Sequence, residues 1–463
     1  MLAFTHHKTE RDKEQEQELS NYLWETEVVP QLPPDLEEQA KKHQALCRKR
    51  EISSAAELLR GLLGYVLGGL STRQWGAWGL LIGLADISGQ AWSKRLQKSG
   101  EWLAWLWNRL VSSPVLELDE VKQSIKRILL VDATRLKQIG GCGDDWRFHL
   151  AYDLMAGQMA QVKVTDQSQG EKLTHFDLQS GDLVVTDRGY GNRYSVGVVK
   201  RTGAEGLFRI HPDKCLLQTE TGERFDVWKL LKEKDRKDQM WDIPVWCNDD
   251  RQDYAVRLIA VQLPQEQADL ARKRLRDKAR KKGQTVSAKQ LILAGWILLV
   301  TTLSADEWSP ADLLRLYRAR WQIELLFKRM KQLLRMHQIN CKRPDSIQAT
   351  IWALLVAWVL QEQQAASIRH LLEQVRKASQ VTLIIWPALQ PVSSWSLNTL
   401  CLLVLKNQVL GQWSMARLYA CIPRLFRFLT SIQRNRLQQE TDVRFWLQRL
   451  LTKQSSEFLR IAA

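Results

Sequence analysis

Two short apolar segments that lead to aspartates constrain the fold of this chain more than any other feature of its sequence. Residues 128–131 are apolar and lead to Asp132, and residues 183–185 lead through Thr186 to Asp187. Apolar runs of this length, rich in branched residues, are typical of buried strands. Ligands of open sheets bind where strands end. The sequence therefore predicts a sheet with an aspartate at the C-terminal end of each of two strands, although each aspartate alone is equally compatible with a turn.

A third segment, residues 317–331, has the periodicity of an amphipathic helix. A continuous helix would place four polar side chains on one face: Tyr317, Arg320, Glu324 and Lys331. An apolar stripe lies beside them and would pack on a core, formed by Leu316, Ile323, Phe327, Met330 and Leu334. A carboxylate flanked by cations predicts a site that binds a metal ion and a phosphate together. The alternative is an ordinary surface salt bridge between Arg320 and Glu324.

The charge of the chain favours a polyanionic partner. Among 463 residues, 67 are Lys or Arg and 51 are Asp or Glu, which gives a formal net charge of +16 at pH 7. An excess of this size is typical of proteins that bind nucleic acids. A merely soluble basic protein is the alternative.

Cysteine usage and hydropathy exclude several other classes. The seven cysteines are scattered and form no CxxC pair, which argues against a disulfide framework or a zinc site and favours a reducing compartment. The charged N-terminus lacks the apolar segment of a signal peptide. The most apolar stretch, residues 351–360, is too short to span a bilayer. We therefore expect no membrane partner.

These segments together resemble a known family, the DDE-type cut-and-paste insertion-sequence transposases called the IS-four family, which carry a YREK signature. The four polar residues of the 317–331 helix keep the spacing of that signature. The second acid lies in an Asp-Arg-Gly-Tyr sequence at residues 187–190, which the family shares. The resemblance extends from roughly residue 32 to residue 334.

The resemblance implies an α/β fold with a ribonuclease-H-like catalytic core and a β-rich insertion subdomain, flanked by helical N- and C-terminal domains. It also implies that Asp132, Asp187 and Glu324 are the catalytic acids and bind the metal, which would be two ions of Mg²⁺ or Mn²⁺. The chemistry agrees, because these ions prefer carboxylate and water oxygens and because two of them can stabilise the attacking and the leaving oxygen together.

The domains predicted along the chain are a loose or disordered N-terminal tail (1–20), a helical DNA-binding domain (21–120), the first part of the core (121–214), an inserted β-rich and basic subdomain (215–290), the second part of the core (291–340) and a helical C-terminal domain (341–463). Two capped helices that start near Ser71 and Ser88 have the arrangement of a helix-turn-helix. A plain helical bundle is equally compatible with them.

The DNA-binding residues are predicted from charge and from the resemblance. Those near the acids are Tyr317, Arg320, Lys328, Lys331, Arg188 and Arg209. A basic segment adds Arg272, Lys273, Arg274 and Arg276, for which a solvated charged helix is the alternative. The resemblance also implies that Trp296 stacks on a base flipped out of the duplex, whereas the alternative is a core tryptophan.

The resemblance implies a DNA transposase that acts in the bacterial cytoplasm, in association with the nucleoid. It would excise an insertion sequence through a hairpin intermediate and insert it elsewhere. Its partners would be double-stranded DNA, namely the terminal inverted repeats and the target, and a second copy of the chain on paired DNA ends. One alternative is a ribonuclease-H-fold nuclease that cleaves DNA without joining it. Another is a catalytically idle relative that binds DNA as a repressor.

Overall fold

The computed structural model describes residues 23–111, 125–138, 146–232, 240–336, 338–339, 341–381 and 394–410. The chain divides into two compact units, one taken from Met1–Ser113 and Arg329–Ala463 and the other from Pro114–Lys328. The predicted tail at 1–20 and the end of the predicted C-terminal domain, residues 411–463, lie outside the described residues. The six domains proposed from the sequence, with their boundaries, stay predictions.

The first unit begins with short helices. A π-helical turn (Trp24–Val28) and a 3₁₀ turn (Val29–Gln31) precede five α-helices: α1 (Leu36–Lys42), α2 (Ala55–Gly68), α3 (Thr72–Leu81), α4 (Gly89–Lys98) and α5 (Gly100–Val111). Serines begin three of them, because the side chains of Ser54, Ser71 and Ser88 accept hydrogen bonds from backbone N–H groups of the first turn. The capped helices predicted near Ser71 and Ser88 are therefore confirmed.

Tryptophans fill the core between these helices. The ring of Trp75 stacks on Tyr65 with centroids 4.4 Å apart and on Trp92 at 5.3 Å. Gly61 of α2 makes this packing possible, because a Cβ atom there would lie 2.1 Å from the ring of Trp92. The local fold therefore depends on a glycine opposite a large aromatic side chain.

The second unit contains a large mixed sheet. Its strands are β1 (Arg127–Gln138), β2 (Trp146–Asp153), β3 (Gln158–Asp166), β4 (Asp182–Thr186), β5 (Glu205–Arg209), β6 (Leu217–Gln218), β7 (Met240–Asn248), β8 (Asp253–Gln262) and β9 (Trp296–Thr301). The spatial order is β3-β2-β1-β4-β5-β9-β8-β7-β6. Strands β1, β4 and β5 are parallel, and the other neighbours in this order are antiparallel. The segment predicted as a β-rich insertion thus adds strands to the same sheet.

Helices accompany these strands: α6 (Arg193–Thr202), α7 (Val227–Lys232), α8 (Gln265–Lys281), α9 (Ala288–Leu293), α10 (Pro310–Ala319) and α11 (Trp321–Leu333). The central strands bury apolar side chains completely, as shown by Leu129, Val184, Phe208, Leu258 and Val300. Burial of these side chains stabilises the sheet that positions the acids. A mixed sheet with many helices agrees with the predicted α/β class.

The chain continues with a short strand, β10 (Gln338–Ile339), and two long helices, α12 (Pro344–Val381) and α13 (Ser394–Leu410). Two hydrogen bonds join the end of α13 to the N-terminal helices of its own unit. The buried Nε–H of Arg60 donates to the carbonyl of Val409 at 3.1 Å, and the indole N–H of Trp78 donates to that of Leu410 at 3.0 Å. Among the helices described, none is both long and apolar enough to cross a membrane.

Candidate active site

Asp132 and Asp187 lie side by side on neighbouring parallel strands. The last register pair between β1 and β4 joins Val131 to Thr186, and each aspartate follows directly. The expectation that Asp132 ends its strand is wrong, because β1 continues to Gln138 as an antiparallel partner of β2. The parallel pairing of β1 with β4 ends just before Asp132, whereas the strand itself continues. The two carboxylates therefore meet where β4 leaves the sheet.

Burial and the other acids both affect the charge state of Asp132. Its side chain is 15% exposed, and one carboxylate oxygen accepts a hydrogen bond from the backbone N–H of Ala133 at 2.7 Å. Burial, and then the negative charge of Asp187, raise the pKa of Asp132 to about 7, and Glu324 acts in the same direction. Asp187 and Glu324 thus both lie close enough to Asp132 to repel it.

The loop after β4 is tightly folded around Asp187. A carboxylate oxygen of Asp187 accepts the N–H of Gly189 at 2.8 Å, and its carbonyl accepts the N–H of Gly191 at 2.9 Å. A Cβ atom at Gly191 would lie only 1.8 Å from the carbonyl oxygen of Arg209. Glycine at this position therefore lets the loop close against the end of β5.

Arg320 bridges the acids of the sheet and the helix. Its Nη1 lies 3.4 Å from Oδ2 of Asp132, and its Nη2 donates to Oε1 of Glu324. The Arg320 side chain is 11% exposed, and that of Glu324 is 35% exposed. Burial opposes the charge of Arg320, but Tyr317 and the two carboxylates outweigh it and raise the pKa of its guanidinium. The ion pair between Arg320 and Glu324 is present, but it is largely buried and extends to Asp132, unlike an ordinary surface salt bridge. Binding of a metal ion and a phosphate here stays a prediction.

The prediction of one uninterrupted helix from Tyr317 to Lys331 is wrong at Arg320. Helix α10 ends at Ala319 and α11 begins at Trp321. At the junction, the N–H of Arg320 donates to the carbonyl of Tyr317 and the N–H of Ile323 donates to that of Arg320. These i to i+3 hydrogen bonds tighten the chain locally into a 3₁₀ turn. Glu324 therefore lies on a different helix from Tyr317.

Several buried donors near the acids lack an acceptor. Within the described residues, no hydrogen-bond partner exists for the Nε–H groups of Arg188, Arg209 and Arg320 or for the hydroxyl of Tyr317. Burial, and then the nearby charge of Arg209, lower the pKa of Arg188 to about 10. Buried donors normally have partners, so this group has the composition of an anion-binding site.

The two predicted lysines lie further along α11. Lys328 is exposed, and Lys331 is half-buried in the last turn of the helix. Their contact with DNA stays a prediction.

The basic segment forms the exposed helix α8, as predicted. Lys273, Arg274 and Arg276 are exposed. Arg272 differs, because its Nε donates to the carbonyl of Leu291 at 3.2 Å and its Nη1 donates to Asp269 at 2.8 Å. Arg272 therefore anchors α8 to the end of α9, while its three neighbours are available to a ligand.

Trp296 lies in the first position of β9. It is 5% exposed, and its ring stacks on that of Trp241 with centroids 4.9 Å apart and an angle of 28° between the ring planes. Burial and ring stacking of this kind are typical of a core tryptophan. Stacking on a flipped base stays a prediction, and it requires that one face of Trp296 be uncovered.

The sequence did not indicate Glu171, which the fold brings beside Asp187. A Cβ atom at Gly189 would lie 1.8 Å from Oε2 of Glu171. Burial, and then the charge of Asp187, raise the pKa of the Glu171 carboxyl, whereas Arg147 opposes this effect. Glu171 lies in a polar loop after β3, where neither periodicity nor spacing marks it.

Tyr190, the tyrosine of the Asp-Arg-Gly-Tyr sequence, is another neighbour of the acids, and the sequence alone assigned it no role of its own. The Tyr190 hydroxyl bonds Nδ1 of the buried His149 at 2.7 Å, and Nε2 of that ring lies 3.0 Å from the Thr165 hydroxyl. Because the Thr165 hydroxyl donates to the carbonyl of Asp166, His149 would donate from Nε2 and accept from Tyr190. The network thereby fixes the residue that follows the Asp187 turn.

Comparisons with known proteins show the family to which the chain belongs. A family described as "Transposase DDE domain" matches residues 123–360. The transposase of insertion sequence element IS421 from Escherichia coli is 35% identical over 331 residues, which cover 70% of this chain and 89% of that protein. InsL of insertion sequence element IS186A from Escherichia coli strain K12 is 35% identical over 330 residues, with the same coverage.

A more distant relative matches as well. The transposase of insertion sequence element IS231F from Bacillus thuringiensis subsp. israelensis is 24% identical over 327 residues, which cover 63% of this chain and 68% of that protein. The matched family region contains all three predicted acids and Arg320. The chain belongs to the DDE-type transposases of insertion sequences, the family that its YREK residues indicated.

Proposed function

We propose that this transposase cleaves and joins DNA at a site formed by Asp132, Asp187 and Glu324. One observation carries the proposal: Asp132 and Asp187 are adjacent on parallel strands, and Arg320 links Asp132 to Glu324. The chain order of β1 to β4, followed by α6 and β5, supports a ribonuclease-H-like core. The relatives named as transposases support the same reaction class.

The donor set fits divalent metal ions, whose use is general for DDE transposase domains. Repulsion of Asp132 by Asp187 and Glu324 favours a bound cation, and Mg²⁺ or Mn²⁺ prefers carboxylate oxygens. We propose two ions, held by Asp132, Asp187 and Glu324. When bound, the ions would activate the attacking oxygen and stabilise the leaving oxygen of the phosphodiester.

The protein side chains would orient the DNA strand. Arg188, Arg209 and the Tyr317 hydroxyl supply buried donors that have no acceptor in the part of the chain that the structure describes, and such donors suit phosphate oxygens. Lys328 and Lys331 would extend these contacts along α11, and the exposed cations of α8 would hold the backbone further away. Placement of the phosphate against the acids is the main contribution of the chain to catalysis.

The proposed reaction consists of four phosphoryl transfers. Water attacks at the element end and releases a 3′-hydroxyl, which attacks the opposite strand to form a hairpin. Water opens the hairpin, and the 3′-hydroxyl then attacks target DNA. Each step breaks one P–O bond and forms one, and the proton of the attacking group passes to the departing oxygen. The family resemblance supports a homodimer on paired ends, with the terminal inverted repeats and the target as DNA partners.

Substitution of Glu324 tests the proposal. Glu324→Gln keeps the shape of the side chain and removes its charge, so nicking and joining in Mg²⁺ should be lost while gel-shift binding of DNA is retained. Asp132→Asn and Asp187→Asn should behave alike, and Glu307→Gln, at an exposed glutamate, is the matched control. Cleavage at the wild-type rate by Glu324→Gln would refute the triad. Cleavage without any joined product by the wild-type protein would instead favour a nuclease.

A further inference from the structure

Arg320 occupies the space between two of the proposed metal ligands. Its guanidinium approaches Asp132 with one nitrogen and Glu324 with another, and only 11% of the side chain is exposed. Both carboxylates are therefore partly neutralised by a cation that belongs to the chain itself. Within the described residues, no group of three or more His, Cys, Asp or Glu side chains is placed to hold a metal ion.

A guanidinium and a divalent ion compete for the same oxygens. A magnesium ion lies about 2.0–2.1 Å from its oxygen ligands and requires a nearly ideal octahedral geometry. Arg320 already donates to Oε1 of Glu324 and carries a positive charge that repels a metal ion. The observed position of Arg320 therefore opposes the binding of an ion between Asp132 and Glu324.

The surroundings of Arg320 indicate what would draw it away. Its Nε–H is buried and has no acceptor among the described residues, and the same is true of the Tyr317 hydroxyl. The Tyr317 ring lies 5.6 Å from the guanidinium carbon of Arg320. A DNA phosphate seated here would accept from both groups, because a guanidinium binds phosphate with two parallel hydrogen bonds.

We propose that Arg320 couples metal binding to DNA binding. In the free protein it holds Asp132 and Glu324 and blocks the ion, and a DNA phosphate draws it away and opens the metal site. This inference rests on the proposed function, because it requires that those acids bind the metal. The coupling would keep a DNA-free transposase from carrying a complete hydrolytic site. It is also reciprocal, so metal must tighten DNA binding by the same factor.

Equilibrium binding of Mn²⁺ to the full chain tests the inference. Affinity would be measured by electron paramagnetic resonance, without DNA and with a duplex taken from the DNA that flanks the coding region. Wild-type protein should bind Mn²⁺ weakly alone and about 5- to 150-fold more tightly with DNA, the range typical of coupled sites. Arg320→Gln should bind Mn²⁺ tightly without DNA and gain little from DNA.

Two further variants keep the test decisive. Arg315→Gln, at an exposed arginine of α10 that pairs with Asp312, should behave as wild type. Arg320→Lys keeps the charge with fewer donors and should bind Mn²⁺ with an affinity between those of wild type and Arg320→Gln, which separates loss of the block from misfolding.

The possible results distinguish the inference from the function on which it rests. If Arg320→Gln binds Mn²⁺ no more tightly than wild type while Glu324→Gln abolishes Mn²⁺ binding, the coupling is wrong and the metal site stands. If Glu324→Gln leaves Mn²⁺ binding unchanged with and without DNA, the proposed function itself is wrong.

Discussion

Substitution of Asp132 by Asn should make the metal-free protein more stable, although it removes one of the proposed catalytic acids. Asp132 is 15% exposed and is repelled by Asp187 and Glu324. Burial and this repulsion raise the pKa of Asp132 from 3.8 to about 7. Its carboxyl therefore binds a proton more tightly in the folded state than in the unfolded state. The charged form destabilises the fold, and neutral Asn should relieve the repulsion.

The pKa shift of Asp132 also gives the size and the sign of the expected change in stability. At about 1.4 kcal/mol per pH unit, the difference between 3.8 and about 7 corresponds to about 4 kcal/mol. This shift already includes the attraction of Arg320. Solvent reaches the 15% exposed side chain and reduces the effect, so we expect a net gain of about 1–3 kcal/mol. The destabilisation by the charged Asp132 carboxylate is absent below its pKa in the unfolded state. It grows as pH rises and is complete above its pKa in the folded state. The gain from Asp132→Asn should therefore be larger at about pH 8 than at about pH 5.

Asp182 provides a matched control with the opposite sign. It lies at the start of β4, is 2% exposed, and accepts two hydrogen bonds from Arg127 at 2.7 and 2.8 Å. Asp182→Asn removes the negative charge and one of the two acceptors of the Arg127 guanidinium, and should cost about 3 kcal/mol. The same chemical change on two neighbouring strands is thus expected to stabilise at one position and destabilise at the other.

Thermal unfolding of the full chain with a metal chelator measures both effects. Apparent midpoints are compared, because a chain with two compact units need not unfold in one step. Each kcal/mol should move the midpoint of the sheet-containing unit by about 2–4 °C. A lower midpoint for Asp132→Asn at about pH 8, or an equal rise at both pH values, would refute the electrostatic reasoning.

Two further predictions concern DNA contact. Replacing Lys273, Arg274 and Arg276 by Ala should flatten the dependence of log affinity on log salt by about 0.9 per lost phosphate contact. Arg272→Ala should mainly lower the melting temperature, since Arg272 anchors α8. An unchanged slope for the triple variant would mean that α8 is a solvated helix. Trp296→Ala should slow hairpin formation more than first-strand nicking if the ring stacks on a flipped base. Equal loss of both steps with a lower melting temperature would assign it to the core.

The sequence predicted the strands that carry Asp132 and Asp187 from their apolar runs, and the family resemblance implied that Glu324 joins these acids. It did not reveal that β1 continues beyond Asp132, since that extension depends on pairing with β2. It also did not reveal the break at Arg320, because the backbone there keeps helical angles, with φ −53° and ψ −25°, and side-chain periodicity is barely changed. Interruptions of this kind are set by hydrogen-bond pairing and not by residue type.

Aspartates in similar sequence contexts have different roles, and only the fold shows the difference. Asp153 also follows an apolar run, but its carboxylate accepts from the N–H groups of Met155 and Ala156 and so caps the turn after β2. Glu171 shows the converse, because it lies in a polar loop and still reaches the surroundings of Asp187. Proximity across a sheet depends on strand order, which local pattern does not specify.

The site combines crowded carboxylates with buried N–H donors, and one complex with metal and DNA would stabilise both. Asp132, Asp187 and Glu324 crowd negative charge, while Arg188 and Arg209 hold buried N–H groups without acceptors in the described chain. A metal ion alone would satisfy the acids and leave these donors unpaired. A phosphate alone would satisfy the donors and increase the repulsion among the acids. Only the two together satisfy both, so the unliganded site is expected to bind metal and DNA cooperatively, with Arg320 as the residue that changes partners between them.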